Sequence, residues 1–212
     1  TPHPDLVVAA TAILDAPESQ RADLEALARA RERPISPRRM SPDFLRVLCR
    51  ARLVQAGRRS GEYCLSAESL LPSSFIESPA EANERFLRGS YREVVLWSEI
   101  KNRAGIEEVG WSVRLNPGRT GQTMEIDVAV AGEGRLLIVE CKSGVELNKL
   151  TDLIEEQMAR CRQIGGSFAR WMLYVHRFRR DFEEPHAFDR LRSAEERARS
   201  YGGALLWHDD LP

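Results

Sequence analysis

Lysine is nearly absent from this sequence. Of 31 basic residues only three are lysines, Lys101, Lys142 and Lys149, so arginine is the default cation. The four cysteines are too scattered to form a C-x-x-C metal site, and a chain of 212 residues does not need disulfides to hold a core together. No apolar run approaches the roughly 18 residues that a membrane span requires, and the N-terminus lacks the layout of a signal peptide. We therefore expect a cytoplasmic protein with no membrane partner.

The net charge of -1 neither requires nor excludes a nucleic-acid partner, so only the local distribution of charge is informative. Ten arginines lie between residues 29 and 59, against only Glu32 and Asp43. This segment is either a surface that binds phosphates or the solvated exterior of a helical domain in an arginine-rich protein. On the first interpretation, the residues predicted to contact nucleic acid are Arg38, Arg39, Arg58, Arg59 and, from a later loop, Arg119.

The chain is predicted to contain two domains, residues 1–76 and 77–212. The first shows helical apolar spacing followed by a short hairpin, an order that resembles a winged helix. Pro and Ser residues over 72–79 punctuate the chain as a domain boundary does, and Ser78-Pro79-x-Glu81 starts a long helix that contains Gly89. The second domain then has the order αβββαβαβ, which predicts an α/β fold with a central mixed sheet flanked by helices.

The second and third strands of this domain, residues 123–131 and 135–142, are joined by a tight glycine turn at 132–134 and so form a hairpin. The apolar run over 136–139 is typical of a strand that is buried on both faces. Charged residues at the end of such a strand are unusual for an ordinary surface.

Alternation along the two strands brings four charged side chains together. With the turn centred between positions 133 and 134, Asp127 is predicted to lie opposite Glu140, and Glu125 opposite Lys142. Carboxylates this close repel one another unless a cation lies between them or one is protonated. Hard oxygen ligands suit Mg²⁺ or Mn²⁺, which can activate water for phosphodiester hydrolysis beside a lysine that stabilises the developing charge.

These motifs resemble the PD-(D/E)xK nuclease superfamily, whose fold is a restriction-endonuclease-like mixed sheet. A narrower likeness is to the nuclease domain of CRISPR ancillary effectors that carry a cyclic-oligoadenylate sensor of the CARF type. It rests on the segments Phe86-Leu87-Arg88-Gly89-x-x-x-Glu93, Glu125-Ile126-Asp127, Glu140-Cys141-Lys142-Ser143-Gly144 and Gly165-Gly166.

The resemblance implies a role for each matching residue. It makes Asp127, Glu140 and the main-chain carbonyl of Cys141 the ligands of Mg²⁺ or Mn²⁺, Lys142 the catalytic lysine and Glu93 an acidic helper from the first helix. It also implies a homodimer that cleaves DNA, RNA or both, under the control of cyclic oligoadenylate bound by a domain upstream of Thr1.

Two further residues are candidates for supporting roles. Glu125 either assists the ligands or only forms an ion pair with Lys142. Gln157 lies on the helix after the motif and either faces the site or is an ordinary solvated glutamine.

Two alternative functions remain open at this stage. The chain is alternatively a restriction-like or repair DNA nuclease whose basic N-terminal region reads its own substrate. The second alternative is a non-catalytic winged-helix DNA-binding protein that carries a nuclease-like fold.

Overall fold

The structure, a computed structural model, describes residues 1–71, 78–115, 124–142, 145–176, 182 and 186–210, without the side chain of residue 209. The chain forms two compact units, Thr1–Val95 and Leu96–Pro212. Their division differs from the predicted domain limits, 1–76 and 77–212, which stay a prediction.

The first unit begins with three helices and a small antiparallel hairpin. Ser41 caps the third helix because its hydroxyl accepts the N–H of Phe44, and Pro42 occupies the first turn, where an N–H would have no helical partner. The order of helices followed by a hairpin is the predicted one. The elements are α1 (Pro4–Leu14), α2 (Glu18–Ala30), α3 (Pro42–Arg50), β1 (Val54–Ala56) and β2 (Tyr63–Leu65).

A capping box starts the next helix, as the sequence predicts. The hydroxyl of Ser78 accepts the N–H of Glu81, and the carboxylate of Glu81 accepts the N–H of Ser78. The helix is not continuous, because non-helical backbone angles at Gly89 separate α4 (Pro79–Arg85) from α5 (Tyr91–Ile100) through a π-helical turn.

The second unit is built on a five-stranded mixed sheet in the order β3-β4-β5-β6-β7. The first three strands are antiparallel, whereas β6 and β7 run parallel to β5 and are reached through α6 (Leu150–Gly165) and α7 (Ala187–Ser200). This confirms the predicted mixed sheet flanked by helices. The strands are β3 (Glu108–Leu115), β4 (Met124–Gly132), β5 (Arg135–Lys142), β6 (Ala169–Val175) and β7 (Gly203–Trp207).

The turn between β4 and β5 sets the register of the hairpin. Glu133 and Gly134 both have positive φ, 51° and 70°, the conformation of a two-residue hairpin turn whose twist matches that of the strands. The pairing runs from Gly132↔Arg135 to Val128↔Val139. The predicted centre of the turn is therefore confirmed, and continuing this register puts position 127 beside position 140.

The core of the second unit lies between the sheet and α6 and α7. Leu173, Ile154 and Trp207 are fully buried there, and Ile138 is 1% exposed. Within the described part of the chain, no helix combines the length and the apolar character needed to cross a membrane.

Candidate functional site

Asp127 lies where the pairing of β4 is interrupted towards both neighbouring strands. Towards β3, Ser112 has a φ of 49° and interrupts the pairing between Trp111↔Val128 and Val113↔Ile126. Towards β5, the Oδ2 atom of Asp127 accepts the main-chain N–H of Cys141 at 2.7 Å. The Asp127 carboxylate is thus fixed by a hydrogen bond at the end of the hairpin.

Glu140 is the most buried acid of the site, with 8% of its surface exposed. Its Oε1 atom lies 2.7 Å from the ammonium of Lys142, and its Oε2 atom lies 2.7 Å from Nη1 of Arg160. A buried carboxylate is stable only when it is paired, and here two cations share the task. Arg160 also donates from Nη2 to the carbonyl of Glu125 at 2.7 Å, so it links α6 to both strands of the hairpin.

The surroundings disfavour a negative charge on Asp127. Burial, together with the charge of Glu140, raises the pKa of Asp127 to about 6, although the N–H of Cys141 and the charge of Lys142 act to lower it. At neutral pH the site therefore holds two carboxylates that repel each other. A cation between them would relieve this repulsion.

Lys142 is a protonated ammonium in this arrangement. Desolvation lowers the pKa of Lys142, but the hydrogen bond and charge of Glu140, together with the charges of Asp127 and Glu156, outweigh it, so that the pKa is raised. A lysine with a raised pKa can stabilise negative charge on a phosphate but is a poor general base.

Glu125 is turned towards the edge strand β3. Its Oε1 atom accepts the hydroxyl proton of Ser112 at 2.6 Å, and its Oε2 atom lies 4.0 Å from Nε of Arg114. These contacts hold the end of β4 against β3, and the proximity of Glu125 to Lys142 stays a prediction.

Arg160 was not predicted from the sequence, and the two environments left open for Gln157 are distinguished by its burial. Gln157 is 1% exposed and is not a solvated glutamine, because it lies on the buried face of α6, one turn before Arg160. Its Oε1 atom has no hydrogen-bond partner among the described residues. The spacing of Gln157 from the buried Ile154 and Cys161 would have revealed its burial, whereas nothing local distinguishes Arg160 from other arginines.

Two histidines lie at the ends of the neighbouring parallel strands. Nδ1 of His176 and Nδ1 of His208 are each 3.2 Å from the hydroxyl of Tyr174. The main-chain N–H of His176 donates to the main-chain carbonyl of Lys142 at 2.8 Å. Since Tyr174 pairs with Cys141, its side chain lies on the sheet face opposite to that of Lys142. The histidine pair therefore does not face the carboxylates.

The remaining predicted residues lie in the first unit or outside the described residues. Glu93 is in the first turn of α5, within the first unit, and its role as a helper stays a prediction. Arg119 lies outside the described residues. The other four arginines are exposed: Arg38 and Arg39 precede α3, and Arg58 and Arg59 lie in the turn between β1 and β2.

The donor set fits a hard divalent cation that keeps much of its water. The described residues contain no group of three or more His, Cys, Asp or Glu side chains that could hold a metal ion. A closed structural zinc site is therefore not formed by them. Mg²⁺ usually binds through one or two carboxylates plus water, and Asp127 and Glu140 meet that requirement. The orphaned Oε1 of Gln157 is an acceptor suited to such a water.

Comparison with known proteins gives a fold but no family. No protein-family model matches the chain, and no curated protein matches it. Among solved structures, protein VC1899 from Vibrio cholerae is similar with a TM-score of 0.59 and 20% identity, over 99% of this chain and 54% of VC1899. Can2 from Sulfobacillus thermosulfidooxidans, solved in complex with cyclic tetra-adenylate, is similar with a TM-score of 0.53 and 12% identity.

The likeness to Can2 covers 97% of this chain and 51% of Can2. The chain thus spans about half the length of either structure. At these identities the comparisons establish a shared fold, which the chain has in common with a protein that binds cyclic tetra-adenylate.

Proposed function

We propose that this chain is the catalytic part of a metal-dependent endonuclease that hydrolyses phosphodiester bonds of DNA, RNA or both. The observation that carries the proposal is the placement of Asp127 and Glu140 together at the end of the β4–β5 hairpin, where burial and the charge of Glu140 raise the pKa of Asp127 to about 6. A buried acid beside a half-buried one is costly to the fold without a counter-ion. A ligand role for both acids explains why the cost is tolerated.

In this proposal Asp127, Glu140 and the carbonyl of Cys141 hold Mg²⁺ or Mn²⁺, with Gln157 accepting from coordinated water. The bound ion would polarise a phosphoryl oxygen and lower the pKa of water, which could then lose a proton and attack the phosphate. Lys142 stabilises the negative charge that develops on the scissile phosphate. Glu93 and Glu125 are proposed as supporting acids.

The ion pairs of Glu140 affect how this carboxylate would bind a metal ion. Lys142 and Arg160 occupy its two oxygens, so both would compete with a metal ion for Glu140. A Lys142 ammonium released from Glu140 would be available to a substrate phosphate. Arg160 stays tied to α6 and to the carbonyl of Glu125.

The wider role rests on the resemblance and on the fold. We propose a homodimeric CRISPR-associated effector that is activated by cyclic oligoadenylate bound outside residues 1–212. The fold shared with Can2, which was solved with cyclic tetra-adenylate, supports this. Exposed arginines 38, 39, 58 and 59, with Arg119, are proposed to hold the nucleic-acid backbone.

The test is cleavage of end-labelled DNA and RNA strands by the purified chain with Mn²⁺, Mg²⁺ or chelator. We expect cleavage only with metal, and its loss by at least a hundredfold in Asp127→Ala, Glu140→Ala and Lys142→Ala, roughly the cost of removing a group that stabilises the transition state. The matched controls are Lys149→Ala and Asp152→Ala, exposed residues of the same charges near α6. Cleavage retained in all three site variants would rule out this centre.

A further inference from the structure

The first unit contains a cavity that is independent of the candidate metal centre. It has a volume of about 290 Å³ and lies between α2, the C-terminal part of α1 and the segment that links α4 to α5. Ligand pockets typically measure roughly 300 to 1,000 Å³, so the cavity is large enough for more than a bare ion. All the residues that line it belong to the first unit.

The floor of the cavity is apolar and well packed. Ile13, Leu24, Leu87 and Tyr91 contribute to the lining, and each is at most 4% exposed. Close packing of these side chains fixes the shape of the floor before any ligand arrives. Such a floor favours a flat or apolar group and makes no favourable contact with a free inorganic anion.

The rim of the cavity is strongly basic. Four arginines line it against the single carboxylate of Glu25. On α2, helical spacing explains the arrangement, since positions 21, 25 and 29 follow one side of the helix. The basic residues of the rim are Arg21, Arg29, Arg88 and Arg92.

These guanidinium groups are held in place by contacts within the first unit. Arg21 donates to the carbonyls of Ala16 and Leu14 at 2.8 and 3.0 Å. Arg88 lies 2.8 Å from Glu84, and Arg92 stacks over the Tyr91 ring at 4.6 Å. A guanidinium has five N–H donors, so the two bonds of Arg21 to main-chain carbonyls do not use them all. Anchoring reduces the entropy that a bound anion would otherwise cost.

We propose that this cavity binds a nucleotide through its phosphate, with the base or sugar against the apolar floor. Arginine is the residue best suited to grip a phosphate, because its fork of donors can engage two oxygens at once. The nucleotide is either free or part of a strand, and both sources present a nucleoside joined to an anionic phosphate ester. The proposal goes beyond nuclease activity, since it needs neither metal nor the residues of the hairpin.

The test measures binding of a fluorescent adenosine monophosphate to the whole chain by anisotropy, with chelator present and in the Asp127→Asn background. These conditions remove the candidate metal centre, so that failure of the nuclease proposal leaves the result unaffected. Unlabelled adenosine, adenosine monophosphate, inorganic phosphate and a short single strand serve as competitors. We expect the nucleotide or the strand to compete at least tenfold better than adenosine or phosphate, and the binding to weaken with salt.

Two opposite substitutions sharpen the test. Arg29→Gln should weaken binding roughly fivefold or more, because it removes an exposed rim donor. Glu25→Gln should strengthen binding by a few-fold, because it removes the carboxylate of the lining and releases Arg29 from its 2.8 Å ion pair. A merely damaged fold could not produce tighter binding.

The controls use the equivalent pair on α3, Arg46 and Asp43, which are also exposed and 2.7 Å apart but lie outside the lining. Arg46→Gln and Asp43→Asn should leave the affinity unchanged within twofold. Competition by the free nucleotide assigns a free ligand, and competition by the strand alone assigns a strand. The proposal is overturned by equal binding of wild type and Arg29→Gln, by equal competition from adenosine, or by no saturable binding up to millimolar nucleotide.

Discussion

At the scale of single residues, the candidate centre is defined by unfavourable charge that is only partly compensated. Glu140 has two cationic partners, whereas Asp127 is stabilised chiefly by one main-chain N–H and by the more distant charge of Lys142. The two acids therefore differ although they belong to the same motif. Substitutions of Asp127 and of Arg160, a cationic partner of Glu140, are therefore expected to change stability in opposite directions.

Asp127→Asn should stabilise the metal-free protein at neutral pH. Because the pKa of Asp127 is raised to about 6 in the folded state, the folded chain holds this proton more tightly than the unfolded chain does. Its contribution to stability is present below about pH 4, the ordinary range of an Asp carboxyl, and is lost as the pH rises to about 6. The variant should thus gain about 3 kcal/mol over wild type at pH 8 and almost nothing at pH 4.

Urea unfolding at both pH values, with chelator present, measures this difference. Asp152→Asn, at an exposed position on α6, is the matched control and should show no such pH dependence. A variant that is less stable than wild type at pH 8 would contradict the assigned environment of Asp127.

Arg160→Gln should destabilise the metal-free protein by about 1–3 kcal/mol, the usual cost of leaving buried polar groups unsatisfied. The substitution removes one of the two cations that pair with Glu140 and the donor to the Glu125 carbonyl. Arg162→Gln, two residues further along α6 and exposed, should change stability by less than about 0.5 kcal/mol. Chemical denaturation of the two variants side by side checks this, and equal stabilities would mean that Arg160 does not hold the site.

At the scale of the elements, local sequence predicts the parts of the fold in which one residue type determines the geometry. The helix start at Ser78 and the glycine turn between β4 and β5 each specify one structure, and both are confirmed. The interruption of β3 at Ser112 and the approach of Arg160 to Glu140 depend on neighbours distant in sequence. Neither could be read from local spacing, and so the contacts of the site were predicted only within the hairpin.

The parallel strands β6 and β7 depend on a glycine for close packing. A β-carbon added at Gly203 would lie 2.0 Å from Cε2 of the Trp171 ring, which is itself 2% exposed and cannot move freely. Gly203→Ala should therefore cost about 3 kcal/mol or more, at the upper end of overpacking effects.

Gly134→Ala is the matched comparison for this prediction. Position 134 has open space around it but a φ of 70°, so only backbone strain opposes the change, at about 1 kcal/mol. The free energies of unfolding of both variants, from urea titration, test the distinction. A smaller loss at position 203 than at position 134 would be inconsistent with the packing of Trp171.

At the scale of the whole molecule, the chain has the fold found in half of VC1899 and half of Can2. At identities of 20% and 12%, the similarity establishes the fold but not the chemistry. The function has to be argued from the site, where the residue types, the burial of Glu140 and the raised pKa of Asp127 agree with a divalent-cation centre.

The most direct test of that centre is a Mn²⁺ titration of the whole chain, followed by the paramagnetic resonance signal of free Mn²⁺. Wild type should remove Mn²⁺ from solution in a saturable manner at pH 7.5. Asp127→Asn and Glu140→Gln should bind at least tenfold more weakly, which corresponds to the loss of about 1.4 kcal/mol or more of ligand interaction. Lys142→Met should bind at least as tightly as wild type, because it removes a competing cation from Glu140. Titration curves for Asp127→Asn and Glu140→Gln that coincide with that of wild type would contradict the account.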